Sequence, residues 1–334
     1  MLPLHGKKIL YIGVSTFNYE KEIKAGLERL GADVDYFDER PANDFLTKVF
    51  LRLKLKKLIQ SKINNYYLSI LENIKHIHYD YVFIIKLETI DSVILNKLKH
   101  SQQQATFILY LWDSLKNYKG KETLLPYFGR AFSFDSVDTK NYKTLKFLPL
   151  FYIPSYKRNS DVKETKYDLC FIGTGHTDRY KIVKKITHLA SKNNLSTYSF
   201  LFLQNKLIFW FRKIFDKEMR QAQLSDFSFS SLNQKQVFDK IMQSKVIIDI
   251  EHKGQVGLTM RTIEMIGSKK KLLTTNPAIK GYDFYNENNI LVIDRENLKL
   301  DLSFLYSPYQ DLDKKTYDKY SLDSWLRHIF SSPL

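Results

Sequence analysis

The residues best suited to chemistry lie in one block: Gly257-Leu258-Thr259-Met260-Arg261-Thr262-Ile263-Glu264-Met265-Ile266-Gly267-Ser268-Lys269-Lys270-Lys271-Leu272-Leu273-Thr274-Thr275-Asn276. Its order is a glycine turn, a helix start, a buried helix and a strand. The first-turn amides of such a helix have no intrahelical partner and carry the positive end of the dipole, which makes them an anion site. Arg261 in that turn can add a two-pronged grip on a pyrophosphate. Glu264, three residues on, can accept from a ribose diol, because an ionised carboxylate is acceptor-only. Gly257, Thr259, Met260, Arg261 and Glu264 are therefore candidate nucleotide ligands. The plainer reading of the block is a core helix with a capping arginine.

Two further sets support that chemistry. Phe171-Ile172-Gly173-Thr174-Gly175-His176-Thr177-Asp178-Arg179 follows a strand and opens a helix. Gly173, Thr174 and Gly175 would let backbone approach a phosphate, and Arg179 would add charge. The third glycine of a dinucleotide fingerprint is replaced by Asp178, so the motif alone is weak. Nearer the N-terminus, Lys86 and Glu88 follow one predicted strand and Asp113 another. Glu88 and Asp113 are candidates for a base that takes a proton from an attacking hydroxyl. Ser15, Thr16 and Lys86 are candidates for holding that substrate, with Asp135 and Asp138 as weaker options. Each carboxylate also fits a helix cap or a solvated group.

The elements that must carry these residues alternate strand and helix. Lys8–Val14 reads as a buried strand, Glu20–Leu30 as a helix closed by Gly31, and Ala32–Phe37 as the next strand. That βαβ unit implies a parallel sheet. Residues 45–78 read as helical, 81–85 and 106–112 as strands, and 131–134 and 146–150 as shorter strands. A polar segment containing Pro154 follows, and the pattern restarts at Tyr167. The expected division is residues 1–152 as an acceptor domain, 153–166 as linker and 167–312 as a donor domain, with a C-terminal helix in 313–334 packing back on the first domain. The fold class is α/β, two Rossmann-like domains facing a cleft, with ligands at the carboxyl ends of strands.

Composition narrows the class. The 334 residues are 44% hydrophobic and carry a formal charge of +16, so global disorder is excluded and an anionic partner is implied. The only cysteine, Cys170, sits in an apolar strand, which excludes a disulfide framework and fits a reducing cytoplasm. The N-terminus runs into a strand pattern with no long apolar signal region, and no stretch reaches the roughly 18 apolar residues of a membrane span. Two segments, 45–62 and 200–217, are basic and aromatic. They read either as faces for an anionic membrane surface or as helices packing into the core. His76-Ile77-His78 and Asp33-Val34-Asp35 lack metal-site placement, so no metal and no cofactor is expected.

The 257–276 block, continued by Ile279-Lys280-Gly281-Tyr282-Asp283-Phe284-Tyr285-Asn286 and Asn289-Ile290-Leu291-Val292-Ile293-Asp294, resembles the donor region of GT-B glycosyltransferases. The likeness is to bacterial capsule and lipopolysaccharide transferases and the spore-maturation glycosyltransferase-like group. It implies an enzyme moving a sugar from a nucleotide-sugar to a glycan or lipid-linked acceptor; from the cysteine usage and the basic segments, the expected place is the cytoplasm, peripheral at the inner face of the membrane. Glu264 would bind the donor ribose, and Thr259, Met260 and Arg261 would approach the phosphates. The retaining pattern has an earlier glutamate where Gln255 and Val256 stand here, so inversion is expected. Other readings are a polyol-phosphate or teichoic-acid-type transferase, an epimerase releasing the nucleotide, and a basic nucleic-acid-binding protein. The last lacks any reader motif, so no nucleic acid is expected.

Overall fold

The computed structural model describes residues 3–52, 55–158, 164–175 and 178–331, and of residues 45, 46, 48 and 52 the backbone alone. The chain divides into two compact units, Met1–Leu150 with Leu322–Leu334, and Phe151–Ser321.

The first domain is built on a six-stranded parallel sheet ordered β2-β1-β3-β4-β5-β6. Its strands are β1 (Lys8–Gly13), β2 (Asp33–Asp38), β3 (Tyr81–Ile85), β4 (Thr106–Leu111), β5 (Arg130–Ser133) and β6 (Lys146–Phe147). The helices are α1 (Tyr19–Arg29), α2 (Phe45–Arg52), α3 (Gln60–Ile74), α4 (Ser92–Ser101) and α5 (Ser136–Asn141). Runs such as Val82-Phe83-Ile84-Ile85 are buried throughout, as strands covered on both faces must be. The stretch 45–78 is not one helix: α2 and α3 are joined through a short 3-10 turn, Lys56–Ile59.

The second domain has a five-stranded sheet ordered β11-β10-β9-β7-β8, parallel at every pairing. It contains β7 (Tyr167–Thr174), α6 (Arg179–Lys192), β8 (Thr197–Phe202), α7 (Lys206–Phe215), α8 (Gln234–Met242), β9 (Ser244–Asp249), α9 (Met260–Ser268), β10 (Lys271–Thr274), β11 (Ile290–Val292), α10 (Leu302–Tyr306) and α11 (Lys314–Lys319). Of the expected linker, residues 159–163 lie outside the described residues; the second unit begins at Phe151.

The chain ends in α12 (Leu322–Ser331), which belongs to the first domain. Leu322, Trp325, Leu326, Ile329 and Phe330 recur at helical spacing and are all buried. Trp325 packs edge-on against Tyr110 at 4.7 Å, and Phe330 against Phe83 at 5.5 Å. Arg130 Nη1 donates to the Phe330 carbonyl at 2.7 Å and so satisfies the helix end.

Strand order fixes where ligands can enter. In the first sheet the order reverses between β1 and β3, and in the second between β7 and β9. The loops leaving those strands open outward at the carboxyl edge, which is the ligand site of open α/β sheets.

Candidate functional site

At the β7/β9 reversal of the second domain, three elements are stitched together by charge. Arg179 begins α6; its Nε donates to the Ile250 carbonyl at 2.7 Å and its Nη1 to Thr174 Oγ1 at 3.0 Å. The side chain therefore spans the carboxyl ends of both strands. Burial lowers its pKa, and the Asp249 and Glu251 carboxylates offset part of that.

A second guanidinium completes the cluster. Arg295, shortly after β11, donates to Asp178 Oδ2 at 2.6 Å, to Glu251 Oε1 at 2.5 Å and to the Glu251 carbonyl at 2.7 Å. Burial works against its charge, but the bonds to Glu251 and Asp178 outweigh that and raise its pKa. Thr275, after β10, donates to the other Glu251 oxygen at 2.5 Å.

The α9 N-terminus stands beside these groups in the fold, on the loop leaving β9. Thr259 is its N-cap and accepts from the Thr262 amide at 3.2 Å. Its hydroxyl donates to Asp249 Oδ2 at 2.7 Å, and Thr262 Oγ1 donates to the same oxygen at 2.6 Å. Asp249, the last residue of β9, thus fixes the helix start to the strand end. Met260 and Arg261 supply the first-turn amides. Gly257 is buried, and its carbonyl accepts from Gln255 Nε2 at 2.8 Å.

The sequence-predicted donor residues occupy this region unequally. Gly173, Thr174 and Gly175 close β7, and His176 lies outside the described residues. Gly175 is forced by packing, since a Cβ there would come 2.4 Å from Phe227 Cε1. Arg261 turns its Nη1 onto Glu264 Oε2 at 2.9 Å, and the Glu264 carboxylate is 4% exposed. The Tyr156 phenol lies beside both, and its pKa is raised by burial and then by the Glu264 charge. Glu264 is therefore the buried half of an ion pair whose arginine is partly exposed.

The first domain gathers its own cluster at the β1/β3 reversal. Lys86 has left-handed backbone, φ 77, unusual for a residue with a Cβ. Its Nζ lies 2.9 Å from Asp113 Oδ2 and 3.7 Å from Glu88 Oε2. Tyr118 donates to the same Asp113 oxygen at 2.7 Å. Glu88 is held by Arg40, whose Nε and Nη2 both lie 2.7 Å from Oε2. Glu88 is 12% exposed at its side chain and Asp113 43%, so Asp113 is the carboxylate open to a substrate.

Beneath them Glu39 is fully buried. Its Oε1 accepts from the Thr89 amide at 2.5 Å and the Ile90 amide at 3.1 Å, while Oε2 has no hydrogen-bond partner among the described residues. Burial, then the Glu88 charge, pushes its pKa up to about 7.

Ser15 and Thr16 follow β1, as expected for that loop. The Ser15 hydroxyl donates to Glu20 at 3.2 Å and the Thr16 amide to Glu20 at 3.0 Å. Phe17 and Asn18, both left-handed, then turn the chain into α1 and leave Phe17 75% exposed. The weaker candidates are structural: Asp135 caps α5, and buried Asp138 accepts from Ser114, Leu115 and Ser133.

Sequence reasoning passed over Arg40, Glu39, Tyr118, Asp249, Glu251 and Arg295. A usable signal existed for Asp249 and Arg295, which sit at or just past the carboxyl ends of the short apolar runs that form β9 and β11. Among the described residues no group of three or more His, Cys, Asp or Glu side chains is placed to hold a metal ion.

No family profile matches the chain, and no curated protein matches it. Solved structures do. Anabaena HepE in complex with UDP-glucose is similar over 97% of this chain and 98% of its own, at 9% identity and TM-score 0.61. The catalytic domain of Arabidopsis thaliana starch synthase IV, bound to ADP and acarbose, is similar over 98% and 96%, at 9% identity and TM-score 0.53. A UDP-N-acetylglucosamine 2-epimerase is similar over 97% and 94%, at 12% identity and TM-score 0.51. The shared feature is the fold, the pair of Rossmann-type domains called GT-B.

Proposed function

We propose that this chain is a glycosyltransferase that uses a nucleotide-sugar donor. The observation that carries the reading is the convergence of Arg179, Arg295 and the capped α9 N-terminus on the carboxyl ends of β7 and β9. Half-buried guanidiniums and helix-end amides match the charge of a nucleoside diphosphate leaving group and strengthen as that charge grows. The HepE structure holds UDP-glucose, which makes UDP-sugars the first donors to test.

In the proposed reaction an acceptor hydroxyl oxygen bonds to the anomeric carbon as the bond to the diphosphate oxygen breaks. The electron pair leaves on the diphosphate, which the α9 amides and the Arg179 and Arg295 guanidiniums hold without a metal. Asp113 takes the hydroxyl proton, oriented by Lys86 and Tyr118. One displacement inverts the anomeric centre, as suits a chain with Gln255 and Val256 where the retaining pattern has a glutamate. The acceptor is a glycan or lipid-linked sugar of a bacterial surface polysaccharide.

The test is a thermal-shift series with UDP, GDP, CDP, dTDP and ADP and their sugars, on wild type, Arg179→Ala and Arg295→Ala. A ligand that binds only the folded chain raises the melting temperature by mass action. A shift with one nucleotide, lost in both variants, supports the reading; no shift at millimolar ligand overturns it. Product analysis with the binding sugar nucleotide then separates transfer from epimerisation.

A further inference from the structure

Among the described residues, fourteen large apolar side chains are exposed, and five of them belong to α7, a helix of ten residues. Leu207 is 79% exposed, Phe215 70%, Ile214 67%, Phe211 63% and Trp210 49%. At 100° per residue these five fall within an arc of about 140°. The helix is firmly seated on its other side. Phe209 is buried against Phe227 at 5.6 Å, Lys213 Nζ donates to the Ala222 carbonyl at 2.7 Å, and Asn205 caps the first turn by accepting from the Ile208 amide at 2.8 Å. The apolar arc is thus held outward by a fixed scaffold. Gln204 and Asn205 also end the apolar stretch that begins in β8, so sequence hydrophobicity alone does not locate this face.

The charge around the arc selects its partner. Between Gln204 and Arg220 the basic residues are Lys206, Arg212, Lys213, Lys217 and Arg220, against Asp216 and Glu218, which gives 5 − 2 = +3. The two acids are already engaged, since Asp216 accepts from the Glu218 amide and Glu218 pairs with Lys181 at 3.0 Å. Lys206, Lys217 and Arg220 are exposed at the helix ends and just beyond. Aromatic and aliphatic side chains facing outward with cations at their edges are the chemistry of an interfacial anchor. The rings enter the acyl boundary while the cations meet anionic headgroups. A second copy of this chain would bring the same cations against themselves.

We propose that the outward face of α7 docks this protein on an anionic lipid surface. The inference is independent of the donor site, which lies on other elements of the same domain.

The experiment is sedimentation of the full chain with vesicles of phosphatidylglycerol and phosphatidylethanolamine, and separately of phosphatidylcholine. Wild type is expected to partition onto the anionic vesicles, less at high salt, with a blue shift of tryptophan emission that Trp210→Phe lacks. Phe211→Ser/Phe215→Ser, changed only at exposed positions, is expected to bind at least about tenfold more weakly. It should keep wild-type melting temperature and nucleotide-induced shift, so that loss of lipid binding is separable from failure of the donor reading. Lys206→Glu/Lys217→Glu/Arg220→Glu is expected to lose the preference for anionic vesicles. No partition of wild type, equal partition onto phosphatidylcholine, or partition unchanged in the double serine variant overturns the proposal. So does a concentration-dependent dimer, abolished by the double variant, with no vesicle binding.

Discussion

Arg261 Nη1 lies 2.9 Å from Glu264 Oε2, one turn apart on α9, and the carboxylate end of that pair is all but closed to solvent. Removing one partner strands the other in a poorly solvated place. Glu264→Ala is expected to cost about 2–3 kcal/mol in urea denaturation, and a double-mutant cycle with Arg261→Ala to give coupling above about 1 kcal/mol. The same variants decide whether Glu264 also serves a ribose. If it does, Glu264→Gln lowers the nucleotide-induced rise in melting temperature; if the pair only holds α9, that rise stays at its wild-type size.

Glu39 predicts a pH slope. A carboxyl whose folded pKa lies above its unfolded value keeps its proton longer in the native state. The native state is therefore favoured below the ordinary value of 4.5 and loses that advantage as pH climbs to about 7. Glu39→Gln, which keeps an acceptor for the Thr89 and Ile90 amides, should gain on wild type between pH 5 and pH 8 by roughly 2.5 kcal/mol. Denaturation of both proteins at the two pH values measures it; parallel pH dependence would show that Glu39 ionises normally.

Lys86 combines a strained backbone with a bridging charge. Replacing it by Ala removes the ammonium between Asp113 and Glu88 but leaves a Cβ at φ 77; replacing it by Gly removes both. Lys86→Gly should therefore be more stable than Lys86→Ala by about 1 kcal/mol. Equal stability would mean that the left-handed conformation is not retained.

Asp113 carries the proposed base role, and its test separates chemistry from donor binding. Asp113→Asn keeps shape and an acceptor for Tyr118 but cannot take a proton. Transfer is expected to fall about 10²–10⁴-fold, with nucleotide-induced stabilisation unchanged. Full transfer activity in Asp113→Asn would move the base role elsewhere in the Lys86–Glu88–Arg40 cluster.

The sheets were legible because buried parallel strands are short apolar runs, and Tyr81–Ile85 and Thr106–Leu111 could hardly be anything else. Thr259 was legible as a ligand candidate by position, although its hydroxyl proves to be spent on Asp249. The polar networks were hidden because their members are distant in sequence: Arg295 meets Asp178 across 117 positions, and Arg40 meets Glu88 across 48. No local spacing encodes such a pair. The apolar arc of α7 was visible as periodicity, but periodicity does not say which side of a helix meets the core. Phe209, inside a segment rich in equivalent aromatics, is the residue that decides it.

Gly175 makes the last of these relations testable. A methyl group there would sit 2.4 Å from Phe227 Cε1 and 2.8 Å from Cδ1. Phe227 cannot swing aside freely, because it is buried, stacks on Tyr180 at 5.4 Å and carries Phe209 at 5.6 Å. Gly175→Ala must then push a core ring or shift the β7 terminus, at an expected cost of about 1–3 kcal/mol. Gly281 is the control, since a Cβ there meets nothing within 4 Å, and Gly281→Ala should stay within about 0.5 kcal/mol of wild type. Urea midpoints of the two variants make the comparison. If both cost the same, the ring contact is not what demands glycine at 175, and close approach of a ligand to the β7 loop becomes the better reason for it.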